Sequence, residues 1–308
     1  LFWLLGLVFF CLLRFVVPEI VFKYHQKIYW LTIILLSLPL VIGIISRGSA
    51  RWLKVGFLVF QPSEIAKPLL IGATAYYLSK KQITKLKDFV FFLPLVGLPA
   101  LLIAIQPDLG SAVVVFVSLM ALLFHAVPNW RWWLSLILIG IAGCLITGGS
   151  FLRPYQKQRI TSFLHPREDP LGRGYNLIQS QIAIGSGGLF GKGFGLGQQT
   201  QLAFLPEKHT DFIFAATGEE LGFLGIFFVL GFYFYLFQKM IKKIAAAEKP
   251  FQVYFKLGIF FQLFLQVTIN IGMNLQIFPV VGLPLPLMSY GGSSLSKNPF
   301  FFFFFFFF

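Results

Sequence analysis

A chain of 308 residues that is 57% hydrophobic and 12% charged carries about half the charge of a soluble domain, and a mean hydropathy of +0.80 excludes a water-soluble globule. Lys and Arg number 25 against 11 Asp and Glu, a net charge of +14. No nucleic-acid module accompanies that excess, and basic residues flanking membrane spans account for it.

A bilayer core of about 30 Å takes about 20 apolar residues of helix to cross. Eight runs fit, at roughly 1–17, 28–46, 63–79, 89–106, 110–127, 131–148, 211–238 and 252–276. The predicted class is an all-α polytopic membrane protein. The first run lacks a basic n-region and a small-residue cleavage site, so it reads as the remainder of a span, not a signal peptide. A ninth run starts near Ser293 and gives way to Phe300–Phe308, a homopolymer without packing logic. Residues 296–308 are set aside as an aberrant tail, leaving 1–295 as one transmembrane domain. Cys11 and Cys144 both lie in apolar runs and read as small buried hydrophobes, not as a disulfide or a metal site.

Alternate short loops differ in charge. One set holds Arg14, Lys23, Lys27, Lys80, Lys81, Lys85, Lys87, Arg131, Lys239, Lys242, Lys243, Lys249 and Lys256; the other holds Arg47, Arg51 and Lys54. The positive-inside rule places the first set in the cytoplasm. The long polar insert at about 148–211 is then extracytoplasmic, as is the loop with Trp52.

In chain order, the first candidate is Arg47–Lys54, where Trp52 stands among three cations. An interfacial aromatic anchor explains it without function. Gln61-Pro62-Ser63-Glu64-Ile65-Ala66-Lys67 opens a helix, and Glu64 and Lys67 at i, i+3 can pair structurally. Asp108, between two spans, is a boundary acid whose plain reading is a helix cap. The insert carries Arg153, Lys157, Arg159, Arg167, Arg173, Lys192 and Lys208 against Glu168, Asp169, Glu207 and Asp211. That balance suits a phosphate or pyrophosphate, and equally lipid headgroups.

The stretch Gly185–Gly197 is rich in glycine, but it has one residue too many for a Walker loop, and Gly193 follows Lys192 where Ser or Thr belongs. It reads instead as a tight re-entrant turn bringing backbone close to neighbouring helices. Asp211 stands where the insert re-enters an apolar run and can cap that helix. Glu219 and Glu220 lie two turns further in, where ionisable residues are functional candidates by default. The scattered histidines His25, His125, His165 and His209 have no metal-ligand spacing, and no Gly-x-Ser-x-Gly elbow occurs.

Several segments taken together resemble one family. They are Arg51-Trp52-Leu53 with Phe60–Lys67, Gln106-Pro107-Asp108-Leu109-Gly110, Gln179–Leu189, Phe204–Phe212, Gly218-Glu219-Glu220-Leu221-Gly222, Asn270-Ile271-Gly272-Met273 and Pro284–Ser294. The pattern looks like the SEDS family (shape, elongation, division and sporulation). Within it the elongation branch, typified by RodA, is favoured over the division branch, typified by FtsW, by Ile182–Leu189 and Asn270–Met273.

The resemblance implies a ten-span helical bundle with a large extracytoplasmic loop, about eight spans being present here and the first and last missing. It implies a bacterial cytoplasmic-membrane glycosyltransferase that polymerises lipid II, partnered by a class B penicillin-binding transpeptidase and the elongation machinery. Carried over residue by residue, Asp211 matches the family's essential outer-loop aspartate and Trp52 an important outer-loop tryptophan.

The expected mechanism makes Asp211 a general base on the acceptor's 4-hydroxyl. Arg159 and Lys192, or a divalent cation such as Mg or Mn, would steady the departing pyrophosphate. Arg51, Lys208 and Asp108 are further candidate substrate contacts, while Glu64, Lys67, Glu219 and Glu220 orient the frame. Two rivals are a transporter that flips lipid II and a scaffold that only docks the transpeptidase.

Overall fold

The computed structural model describes residues 24–46, 49–55, 58–147, 159, 161–166, 168, 174–202, 204–205 and 207–289. The first expected span, the ninth run and the phenylalanine tail lie outside the described residues, as do Arg153, Lys157, Arg167, Asp169 and Arg173. Among the described residues the helices are α1 (Tyr24–Ile42), α2 (Pro62–Lys80), α3 (Leu86–Ile105), α4 (Leu109–Ala126), α5 (Trp130–Thr147), α6 (Tyr175–Ser186), α7 (Gln198–Gln201), α8 (Ile213–Ala245) and α9 (Pro250–Asn274). Five of them, α1, α3, α4, α8 and α9, are long and apolar enough to cross a membrane. The chain is a multi-pass membrane protein.

Helix α2 has the length of a span at 19 residues but is more polar than those five. Most of its surface is buried by protein rather than facing lipid, so it need not be apolar all round. Pro62 begins it, where the missing N–H costs nothing.

The stretch read as the end of a span and a loop instead forms an antiparallel sheet, β1 (Ile44–Ser46), β2 (Ser49–Val55) and β3 (Leu58–Phe60), in the order β1-β2-β3. Ile44 pairs with Trp52 and Leu53 with Phe60. Trp52, Leu53 and Val55 favour extended backbone, but strands this short leave little periodicity to read.

The chain divides into two compact units. The first comprises residues 1–126, 230–268 and 283–308. In it α4 packs on α2 and α3, and β2 rests on α2. Leu70, Phe92, Val96, Ile103, Val114 and Leu122 fill this core. The Tyr29 hydroxyl donates to the Leu95 carbonyl (3.0 Å), tying α1 to α3. Gly258 brings α9 close to α2: a Cβ there would stand 2.5 Å from Ile71.

The second unit comprises residues 127–229 and 269–282. Its core sets Ala183 of α6 against Leu205, Phe212 and Ala215, with Ile184 and Val280 alongside. Helix α8 is broken at Gly222, which takes φ 65° and ψ −161°, a conformation that costs glycine little and other residues much.

Candidate functional site

Asp211 sits at the head of α8, on a turn closed by Glu207. The Glu207 carbonyl accepts the N–H groups of Thr210 (3.0 Å), Asp211 (3.1 Å) and Phe212 (3.2 Å), and Glu207 itself takes φ 57°. Burial of Phe212 pins the chain immediately after Asp211. The Asp211 carbonyl accepts the side-chain amides of Asn270 (2.9 Å) and Asn274 (3.1 Å), two fully buried residues one turn apart on α9. Asn274 also accepts the Ala215 N–H (3.2 Å), and its own carbonyl takes the Ser180 hydroxyl (2.9 Å). The peptide bearing Asp211 is therefore held from α9 and, through Ser180, from α6.

The Asp211 side chain is partly exposed. Beside it lies Gly282 at φ 67°, where a Cβ would stand 3.4 Å from Asp211 Oδ2. A carboxylate at a helix N-terminus is favoured in its charged form, the form a general base needs. Neither asparagine was singled out from sequence as a site residue. The signal was there: two amides at i, i+4 in an apolar helix must find partners inside the protein.

A second cluster in the same unit is built on Glu219, which is fully buried. Its Oε1 accepts the Gln199 N–H (2.8 Å) and its Oε2 the Thr200 N–H (3.0 Å), so it caps the single turn α7 from another element. Lys192 Nζ lies 3.5 Å from Oε1, and Lys208 donates to the Thr200 carbonyl. Gly197 must be glycine for this to fit, since a Cβ would come within 2.5 Å of Glu219 Oε2. Glu220 is half-buried and offers its carbonyl to the Gly193 N–H (3.1 Å). Arg159 is half-buried too.

The remaining candidates fall in the first unit. Asp108 is buried: its Oδ1 caps α4 through the Ser111 N–H (3.2 Å) and its Oδ2 accepts the Gln61 amide (2.7 Å). Arg51 Nη2 donates to the Pro107 carbonyl (2.6 Å) and Nη1 stands 3.9 Å from Asp108. Arg51 is thus held by the Pro107 carbonyl with Asp108 close to its guanidinium, and Trp52 follows it on β2. Glu64 and Lys67 form a 2.7 Å ion pair, buried on both sides. Among the described residues no three His, Cys, Asp or Glu side chains converge to hold a metal ion.

Residues 1–302 match the model of the FtsW/RodA/SpoVE cell cycle proteins. The chain belongs to the FtsW/RodA/SpoVE family. Its relatives include the peptidoglycan glycosyltransferase MrdB of Escherichia coli (strain K12), 42% identical over 298 residues, covering 94% of this chain and 79% of MrdB. The probable peptidoglycan glycosyltransferase FtsW of Coxiella burnetii is 40% identical over 291 residues, covering 92% of this chain and 77% of that one.

Among solved structures, a chain of a peptidoglycan synthase complex that coordinates polymerization and crosslinking aligns with TM-score 0.82 at 33% identity, covering 97% of this chain and 85% of that one. The rod shape determining protein RodA of Thermus thermophilus aligns with TM-score 0.71 at 30% identity, covering 98% and 84%. The FtsW/RodA/SpoVE fold is thus the fold expected from the motifs. The candidate residues divide between its two units: Asp211, Arg159, Lys192, Lys208, Glu219 and Glu220 in one, and Arg51, Trp52, Glu64, Lys67 and Asp108 in the other.

Proposed function

We propose that this chain is a peptidoglycan glycosyltransferase of cell elongation that polymerises lipid II, with Asp211 as its general base. The observation that carries the assignment of the base is the fixed peptide of Asp211: two buried asparagines clamp its carbonyl while its carboxylate stays partly exposed beside a glycine. Rigid placement of a charged acid at the head of a membrane helix suits a substrate with one end in lipid and its reacting bonds outside.

Lipid II presents a sugar on a polyprenyl pyrophosphate. The acceptor's 4-hydroxyl oxygen attacks the anomeric carbon of the donor, the bond to the pyrophosphate oxygen breaks, and the leaving group departs with the electron pair. The hydroxyl proton passes to Asp211. One displacement converts the α-linked donor into a β-linked polymer. General base catalysis of this kind contributes about 10²–10⁴ in rate.

The leaving pyrophosphate is assigned to cations of the chain. Arg159 is the candidate in the unit that holds Asp211, while Arg51, bonded to the Pro107 carbonyl and facing Asp108, is a substrate-contact candidate of the other unit. Lys192 and Lys208 are engaged with Glu219 and Thr200 and act first on the frame of the loop. The insert is extracytoplasmic, which puts Asp211 on the face where lipid II is consumed. A class B penicillin-binding transpeptidase is the proposed partner, crosslinking the strands this chain makes.

The test is glycan-strand formation from purified lipid II in detergent, where no membrane has to be crossed. Asp211→Asn should abolish strands while leaving the protein folded and monodisperse. Full activity in that variant would remove Asp211 as the base. Absence of strands with the unaltered chain and its transpeptidase together would favour a lipid II transporter.

A further inference from the structure

We propose that the glycine-rich loop 187–197 is a lipid-contacting wedge, its apolar side chains seated among phospholipid acyl chains at the edge of the bilayer. Leu189, Phe190, Phe194 and Leu196 are 65%, 79%, 87% and 70% exposed. Four large apolar side chains displayed so fully within eight residues mark a surface that meets something other than water.

The break in α8 gives their level. Helix α8 has 33 residues, about 50 Å at 1.5 Å per residue, whereas a hydrocarbon core of about 30 Å takes about 20. Lys239, Lys242 and Lys243 mark the end of the helix that leaves the membrane. Measured from Lys239, Gly222 lies about 25 Å along the helix, inside the opposite edge of the core. The loop is paired to the helix at this level. Lys192 and Gly193 donate to the carbonyls of Glu219 (3.0 Å) and Glu220 (3.1 Å), and Phe223 and Leu224 donate to those of Gly188 (2.8 Å) and Leu189 (3.1 Å).

These four bonds have a second consequence. Irregular backbone is tolerated at membrane depth only when its polar groups are satisfied by protein. The peptide groups that the Gly222 break releases are those the loop takes up, and Gly191 donates within the loop to Gly187 (2.8 Å). The approach needs glycine on both sides: a Cβ on Gly191 would lie 2.1 Å from the Glu220 carbonyl, and one on Gly222 would lie 2.3 Å from the Gly191 nitrogen.

Acyl chains are favoured as the occupant by continuity. The loop is bonded to the backbone of Phe223 and Leu224, which with Phe227 and Phe228 carry exposed apolar side chains on a helix long and apolar enough to cross the membrane. Lys192, the cation between the two phenylalanines, is turned back onto buried Glu219, so the wedge presents apolar groups outward. By resting in the leaflet, the loop sets the height of residues 213–221, the half-helix with Asp211 at its head.

Nitroxide labels at Phe190→Cys and Phe194→Cys, placed singly in the full chain with Cys11→Ala and Cys144→Ala, test this in vesicles of phosphatidylethanolamine and phosphatidylglycerol without polyprenyl lipid. Collision with oxygen, concentrated among acyl chains, is compared with collision with a water-soluble nickel chelate. Labels at Phe227→Cys and Glu248→Cys are the lipid and water references. The oxygen-to-nickel ratio at both loop positions should lie nearer that of Phe227. A ratio matching Glu248 would overturn the proposal and leave the loop as a surface for a protein partner. Should either label disturb the fold, Leu189→Cys and Leu196→Cys report on the same wedge. The readout involves no catalysis, so its failure is distinct from failure of the proposed activity.

Discussion

Asn274 donates to the Asp211 carbonyl at 3.1 Å and accepts the Ala215 N–H at 3.2 Å. One buried amide at the end of α9 thus binds the head of α8 on both sides of Phe212. The position of the proposed base is set by a residue 63 positions away in sequence.

Asn274→Ala removes these bonds and leaves a buried N–H without its partner, at a cost of about 1–3 kcal/mol. Because the peptide of Asp211 loosens while its carboxylate is retained, kcat should fall more than KM rises. Asn270→Ala, which loses one contact to the same carbonyl, should fall less. Strand formation at varied lipid II concentration measures both. Equal loss from the two, or a pure KM effect, would contradict a positioning role.

Gly282→Ala should impair turnover more than folding. The residue has φ 67°, and its new methyl would rest 3.4 Å from Asp211 Oδ2. Backbone strain at such a position costs about 1 kcal/mol, tolerable for the fold. The methyl would be in ordinary van der Waals contact with the carboxylate and would take the space beside it, which is the larger effect on turnover. Activity per folded molecule, with folding followed by size-exclusion profile, separates the two.

Glu219→Gln tests the frame of the loop. The substitution keeps size but removes the charge that holds two N–H groups and Lys192. Leaving the partly exposed Lys192 without its carboxylate should cost about 1 kcal/mol, on top of the weaker acceptor left for the two N–H groups. Adding Lys192→Met should recover part of that loss. Thermal unfolding in detergent of the two single variants and the double variant gives the coupling directly; strict additivity would show that the pair does not interact.

Asp108→Ala and Asp108→Asn should separate capping from charge. Asparagine can still cap α4 but no longer neutralises Arg51. Alanine loses the cap, worth about 1 kcal/mol, and strands the Gln61 amide as well. Unfolding should therefore be earlier for Asp108→Ala than for Asp108→Asn. If Arg51 contacts lipid II, both variants should raise KM for lipid II, and an unchanged KM in both would detach this cluster from the substrate.

Much of the architecture was legible before any coordinates. Span length and apolar content are properties of single segments, so α2 to α5 and α9 fall within a few residues of the runs read along the chain, while α8 continues to Ala245, past the 238 read for it. The signals for β1 to β3 were weaker, because strands of three to seven residues carry little periodicity.

For the proposed site, the boundary between the polar insert and an apolar run marked Asp211 as a candidate, and the resemblance of its surroundings to the SEDS pattern raised it from helix cap to general base. The sequence also determined that Glu219 is an acid within a span, and that loop 187–197 is rich in glycine. Only the tertiary structure decided what these meet. It placed Asn270 and Asn274 on the Asp211 carbonyl, Gly282 against the carboxylate, and Glu219 at the cap of α7. It also joined the loop to the broken helix at Gly222. The physical reason is that a hydrogen bond is decided by distances of about 3 Å between atoms, and residues about twenty to seventy positions apart reach such distances only when packing closes the chain between them.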